Sequence, residues 1–600
     1  MKRLLLILIL LAGFCFDSIA QADSSVDTIY HQPSQRWIRE LRNIIIVSPR
    51  SVSESDTFNI HSPDNIFFEI DGRTIRAIHI VRLSPFGVSL TDTSYNRITF
   101  PGRAGNAIHV STGEFIIRNA LLFKEGDVIE SYKLAYSERY LRSLGYIGDA
   151  RVVAVPVANN EAEVVVTVQD NFPYSLSFGT NFETRANFGI KNNNIIGTGF
   201  ELQAETFIDS RKDKLMGYRT TLRSSNIGRS FVSFQADYLD RYENQRYGFS
   251  MQRDFYAPTT KYAGHLSYYN SRTPARYYDP SSLDYQQVTP ISIRFTQLSA
   301  WLGRSFQVNK RSFSDHVKNI TLSLGAKQMN FMDRPERSEE RYYRFQNRTT
   351  YLASLSYSQR SFYNASLIYN YGRTEDIPYG YIFSVVSGKE FNEMYNRPYF
   401  GANFSSGYFI PRTGYLSGAL SYGTFFRNGA DQGVVDFELN YFSNLYVTGN
   451  YRQRTFINSQ YTRQLFNRLE DQLIIDDDYG IPGFRNDTIL GRHRVNLSLE
   501  QSVFMPREIY GFRFVLYAFG YLSWLGGYEE PIILRNPYSS FGFGVRIRNN
   551  RLIINTLQIR LAYFPNIPRN SRFRYIHFSS ETVLQPRDFK PRAPEIMPLY

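Results

Sequence analysis

From Asn171-Phe172-Pro173 to about residue 584 the chain alternates apolar and polar side chains with a period of two, interrupted by short turns. Val232, Phe234, Ala236 and Tyr238 alternate with Ser233, Gln235 and Asp237. Tyr247, Phe249 and Met251 alternate with Gly248, Ser250 and Gln252. Phe541, Phe543, Val545 and Ile547 alternate with Gly542, Gly544, Arg546 and Arg548, and Leu557, Ile559, Leu561 and Tyr563 alternate with Gln558, Arg560 and Ala562. A period of two describes strands with two different faces. One or two such runs fit any half-buried sheet. Recurrence on this scale points to a transmembrane antiparallel β-barrel, with rings toward lipid and polar groups toward the lumen. The chain holds 45 Tyr and 47 Phe, yet its mean hydropathy is only −0.35. A soluble sandwich needs polar outer faces, and here aromatics occupy that face. About twenty strand-like runs can be counted.

The ends of the chain read differently. Lys2 and Arg3, the apolar run Leu4–Leu11 and the small-x-small site Ser18-Ile19-Ala20 make residues 1–20 a secretory signal. The only cysteine, Cys15, lies inside it. Phe14 precedes it where a lipoprotein signal needs a small residue, so lipidation is not expected. The mature chain is then free of disulfides. After residue 20 no apolar run approaches the ~18 residues of a membrane helix, so a membrane form must be a closed barrel. Residues 21–66 read as a linker or cap.

Residues 67–172 read as one small α/β domain in the order β-α-α-β-β. Ile75–Val81 is a strand, followed by the polar connection Ser84–Gly105. Ser111 and Glu114 form a capping-box pattern opening a first helix. A second helix runs from about Ser131 to Leu144, with Leu134, Leu141 and Leu144 on one face and Gly145 as a left-handed terminator. Ala150–Val155 and Ala162–Val168 close the domain.

The stretch LLFKEGDVIESYKLAYSERYLRSLGYIGDARV resembles a POTRA domain, the periplasmic module of the BamA/TamA family of outer-membrane assembly proteins. Ala186–Glu205, with its Gly197-Thr198-Gly199 turn, is similar to the first hairpins of that family's barrels. Ser539–Pro565 is similar to their last strands but one. Gly480, Pro482, Gly483, Phe484 and Arg485 match the family's inward-folded lumen loop between strands eleven and twelve. The resemblance implies a mostly β fold: a barrel of about 16 strands over residues 173–584, one POTRA-like domain before it, and a tail over 585–600. It implies the outer membrane of a Gram-negative bacterium, with the N-terminal domain in the periplasm. It also implies insertion, assembly or translocation of proteins, through a client-binding domain and a lateral seam. The implied partners are outer-membrane lipids, unfolded or exported client proteins, and periplasmic chaperones or accessory proteins. A pore or dedicated secretion channel is the alternative.

Two family features are altered. The loop Arg that pairs with a wall acid in the family is Pro482 here, and Phe519 stands at the acid's position. Both partners are missing together, which avoids a lone buried charge costing several kcal/mol. Pro482 is left to stiffen the loop and Phe484 to plug into the wall. Arg485 is a substitute cation, and Asp476–Asp478 are candidate anions. That acidic run otherwise reads as a solvated loop, with calcium binding as a weaker alternative. The seam joins Tyr174–Asn181 to Arg572–Leu584, with Tyr174, Leu176 and Phe178 on the first strand and Phe573, Tyr575 and Phe578 on the last. Exposed strand edges there can template a client strand. Pro586, Pro591, Pro594 and Pro598 exclude the tail from the sheet, and it either hangs free or lies in the lumen.

No G-x-S-x-G, H-E-x-x-H or P-loop occurs, and the eight histidines are scattered, so neither an enzyme, a cofactor nor a metal is expected. The net charge of +13 is spread along strands and loops rather than clustered, which argues against nucleic acid.

Overall fold

The structure, a computed structural model, describes residues 70–597 apart from 88–89, 91–99, 158, 181–183, 279–287, 309–316, 336–342, 369–373, 467–471, 478, 487–488, 508, 510–511, 528–535, 550–556, 567–570, 574 and 580–586. The expected signal and linker, residues 1–66, lie outside the described residues.

The first unit is a three-stranded sheet with helices. Strands β1 (Thr74–Leu83), β2 (Ile147–Val157) and β3 (Glu161–Asp170) are ordered β1-β3-β2, with β3 parallel to β1 and antiparallel to β2. The helices are α1 (Phe100–Ile108), α2 (Glu114–Asn119) and α3 (Ser131–Ser143). Leu134, Leu141 and Leu144 are buried in one core with Val164, Val166 and Val168 of the central strand, as the helical spacing requires.

Three local expectations fail. Part of the polar connection before Gly105 forms α1. The N-cap of α2 is Gly113, not Ser111, and it makes no side-chain cap. Thr112 instead gives its N–H and hydroxyl to Asp170 at 2.7 and 2.8 Å, so a tertiary contact sets the helix start. Gly145 is not left-handed; α3 ends one residue earlier, on extended Leu144.

The second unit is a closed barrel. Its 21 strand segments reduce to twenty wall strands, because Tyr446–Thr448 continues Ala430–Ser443 beside the same neighbour, Tyr451–Leu465. We number them 1 to 20 from Tyr174–Thr180 to Ile576–Ser579. The sixteen implied by the resemblance is therefore corrected to twenty, the number the strand-like runs approach. The inward loop precedes wall strand 16 (His493–Phe504), so five wall strands follow it, as in a sixteen-stranded barrel with the loop before strand twelve. The four additional strands lie ahead of the loop.

The wall is inverted relative to a soluble protein. On wall strand 9 (Lys318–Asp333), Ile320, Leu322 and Leu324 point outward with 41, 49 and 60% exposure. Thr321 and Ser323 point inward with 0 and 1%. Leu298 and Leu302, Phe400 and Phe404, and Phe541 and Phe543 continue this apolar exterior. Such a surface is stable against hydrocarbon and not against water. Strand 1 begins at the α/β unit, so the turn before each odd-numbered strand lies at that end, called here the near end.

The α/β unit is fastened to near-end turns. Asn194 gives its side-chain amide to Thr112 Oγ1 at 2.8 Å, and Gly113 N–H donates to the Gly197 carbonyl at 2.9 Å. Gly197, at φ 71°, could not carry a Cβ, which would fall 2.4 Å from the Ser111 carbonyl oxygen. Across the mouth, Arg142 of α3 binds both carboxylate oxygens of Asp376 at 2.7 and 3.0 Å. Arg139 lies 3.8 Å over the Phe362 ring.

Leu322→Arg places a cation on the outward face. In vesicles, urea unfolding should show a loss of about 2–4 kcal/mol if that face is in hydrocarbon. A change within about 0.5 kcal/mol, as at a wet surface, would mean that the exterior is not lipid-facing.

Candidate functional site in the barrel lumen

Twenty strands enclose more space than wall side chains fill, and two segments occupy it. The first is the loop between wall strands 15 (Tyr451–Leu465) and 16. Ile481 and Phe484 are 1 and 2% exposed. They pack with Leu473 and Ile475 of the same loop, with Tyr517, Phe519 and Leu525 of strand 17 (Phe512–Gly526), with Ala562 of strand 19 (Leu557–Tyr563) and with Phe564 just beyond it.

The loop's shape follows from its sequence. Asp476 accepts from Tyr479 N–H at 2.8 Å and Asp477 from Gly483 N–H at 2.6 Å, the short-range caps that Asp favours. Gly483 takes φ 86°, which its Pro-Gly context anticipates. The acidic run is thus neither a freely solvated loop nor a spare anion set: two of its carboxylates fold the turn. Asp478 lies outside the described residues.

Gly480, Pro482, Gly483 and Phe484 all come together in this inward turn. Of Arg485 only the backbone is described; its proposed role as a substitute cation lies outside the described residues. Phe484 and Arg485 form a two-residue strand paired with Phe573 and Arg572. Phe573 is therefore not in the wall seam, as the sequence reading had it. It belongs to the segment leading into strand 20 and packs on the loop cluster. Tyr575 is outside strand 20 and 53% exposed, while the backbone of Phe578 is in strand 20 opposite Ile559. Tyr174, Leu176 and Phe178 lie on strand 1, with exposures of 39, 66 and 73%. Strands 1 and 20 are neighbours in the closed wall.

The positions of the missing family pair are apolar. Phe519 is 6% exposed and lies across the wall from Gly542, where a Cβ would sit 2.8 Å from its ring. Gly544 likewise makes room for Tyr517. An ion pair is nevertheless present one step away. Glu500 of strand 16 receives two bonds from Arg546 of strand 18 (Tyr538–Asn549), at 2.5 and 2.6 Å, bridging over the Tyr517 ring. Gln558 accepts from Arg546 Nε at 3.0 Å. Sequence reasoning missed this pair. Its only signal was that Glu500 and Arg546 each fall on the polar phase of an alternating strand; the register that brings them together was not legible.

The second segment is the tail. Residues 587–597 lie inside the barrel, with Phe589 fully buried and Met597 N–H donating to Tyr399 Oη at 2.8 Å. Of the two sequence alternatives, the structure has the lumenal one.

No family model and no curated protein matches the chain. Among solved structures it is similar to BamA from Haemophilus ducreyi lacking POTRA domains 1–3, at TM-score 0.32 and 12% identity over 84% of each chain. It is similar to CdiB from Acinetobacter baumannii, at TM-score 0.39 and 14% identity over 84% of this chain and 73% of that one. CdiB from Escherichia coli aligns at TM-score 0.38 and 10% identity over 91% of this chain and 95% of that one. At these scores the likeness adds nothing to what the strand pairing itself shows.

Glu500→Gln leaves the Arg546 guanidinium buried without its counter-charge and should lower the unfolding free energy by about 3–5 kcal/mol. Replacing both residues with Met should cost clearly less. Equal losses in the single and double variants, measured by urea titration in vesicles, would show that the pair is not coupled.

Proposed function

We propose that this chain is an outer-membrane protein of the BamA/TamA kind, with its α/β unit in the periplasm as a POTRA-type module, and that it inserts or translocates other proteins. The observation that carries the reading is the arrangement around the seam. Wall strands 1 (Tyr174–Thr180) and 20 (Ile576–Ser579), the first and last of the wall, meet there. The junction of the first and last strands is where edge N–H and C=O groups can be freed to template an incoming strand. The lumen loop is hydrogen-bonded to the segment feeding strand 20, so loop position and seam position are mechanically joined. The central strand of the α/β unit runs into strand 1 after only three residues, so the unit sits directly at that seam.

On this reading the chemistry is passive. Clients dock on the α/β unit, pair with the seam strand and pass into the bilayer, with no nucleotide consumed. The seam residues Tyr174, Leu176, Phe178 and Phe578 and the loop residues Phe484 and Arg485 are the proposed working parts. The wider wall favours a second reading, a secretion channel that passes an exported polypeptide through the lumen.

Depletion of the protein in its host, with folded outer-membrane barrels counted by heat-modifiable gel shift, separates these. Broad loss of folded barrels is the expected outcome for an insertase. Loss of one surface protein with barrels intact would select the channel reading. No change in either would overturn both.

A further inference from the structure

The tail rests in a groove built for it. Three wall glycines lie beneath it: a Cβ on Gly407 would meet the Phe589 ring at 2.7 Å, one on Gly325 would meet Pro594 at 2.9 Å, and one on Gly423 would meet Met597 at 2.9 Å. Charges line its near end. Asp588 takes two bonds from Arg360 at 3.1 and 3.2 Å, and Arg360 is itself anchored on the Phe255 and Tyr256 carbonyls at 2.9 and 3.2 Å. Lys590 binds Asp254 at 2.7 Å, and Arg587 pairs with Glu438. Burial alone would raise the Asp254 carboxyl, but Lys590, Gln252 and Arg360 together hold the group below the usual range. At the far end Ile596 packs on Leu352, Tyr399 and Phe425.

The tail is extended. From Phe589 to Met597 it advances as many residues as wall strand 12 (Asn396–Ile410) does between Gly407 and Tyr399, in the opposite direction. At about 3.3 Å per residue it covers roughly 25 Å, close to the height of a barrel's lipid-facing band. Among the described residues it joins no β-ladder. It is held by side chains, which can be exchanged one at a time, and not by a cooperative row of backbone bonds.

We propose that the inner face of wall strands 9 to 14, with the turn between strands 6 and 7, is a binding groove for an extended polypeptide, that residues 587–597 are its resident occupant, and that an exported polypeptide carrying an acidic–aromatic–basic triplet takes their place. Asp588-Phe589-Lys590 is that triplet here. Arg360 reads the acid, the Gly407 hollow takes the ring, and Asp254 reads the base. The inference rests on the protein-handling function proposed above, yet the groove itself is tested without it.

The test uses the purified full chain in planar bilayers and detergent. Asp588→Lys together with Phe589→Ala should release the tail while leaving the wall intact, with folding confirmed by heat-modifiable migration. Single-channel conductance should rise. A labelled synthetic peptide of residues 585–600 should then bind the released protein, but not the parent, and close the channel again. The same peptide with its Asp588 equivalent replaced by Lys should bind at least about 30-fold more weakly, as loss of a buried charge pair dictates. Arg360→Glu in the wall of the released protein should restore its binding. Parent-like conductance in the folded released variant, with no peptide binding, would overturn the groove. Gly407→Leu, which fills the ring hollow without touching the tail's sequence, is the second variant: conductance and tail protease sensitivity unchanged from the parent would also overturn it. Binding and closure as expected, with host depletion changing no other protein, would uphold the groove and sink the functional reading instead.

Discussion

Hydrocarbon offers the peptide group no hydrogen-bond partner, and everything else in this molecule follows from that. Each backbone N–H and C=O at membrane depth must pair with a neighbouring strand, so the sheet has to close. Closure with twenty strands solves the backbone problem and creates another, a lumen too wide for wall side chains to fill. The loop before strand 16 and the tail after strand 20 are the answers, entering from opposite ends and covering different arcs of the inner wall.

These two fillers use different physics. The loop is held by a greasy cluster around Phe484 and Phe519 and by Asp caps within its own turn. The tail is held mainly by ion pairs and glycine hollows. A charge pair at the loop tip, which the resemblance implied, has given way to rings stacked over glycines, while a separate bidentate pair, Glu500 with Arg546, ties strands 16 and 18 beneath them. Apolar packing of that kind forgoes the desolvation cost of a buried pair at the tip.

The barrel was legible because lipid reverses the usual code: one face of every strand must be apolar, and Leu322 against Ser323 shows it residue by residue. The loop was legible because Gly and Pro punctuate it. Partnerships across strands were not. A period-two pattern places Glu500 and Arg546 on the inner face but says nothing of their relative height, which depends on strand stagger around the whole ring. The strand number implied by the resemblance misled because it describes other proteins, whereas the alternating runs describe this chain. Helix starts failed for another reason: Thr112 found a better partner in Asp170 than a cap offers, a tertiary contact overriding a local one. The tail's prolines excluded it from the sheet correctly, but only the wall's complementary hollows reveal where it goes.

The fastening of the α/β unit has a mechanical side. It grips the near-end rim at Asn194 and Gly197, between strands 2 and 3, and again at Asp376 on strand 11, almost half-way round the ring. Between these it also holds the turn joining strands 4 and 5, where Asn226 donates to the Asn119 carbonyl and Arg229 to the Phe123 carbonyl, so the hoop is braced along that arc and cannot be squeezed into an oval there. Any strain applied to the unit is then delivered to the part of the hoop left unbraced, the arc from strand 12 through strand 20 to strand 1.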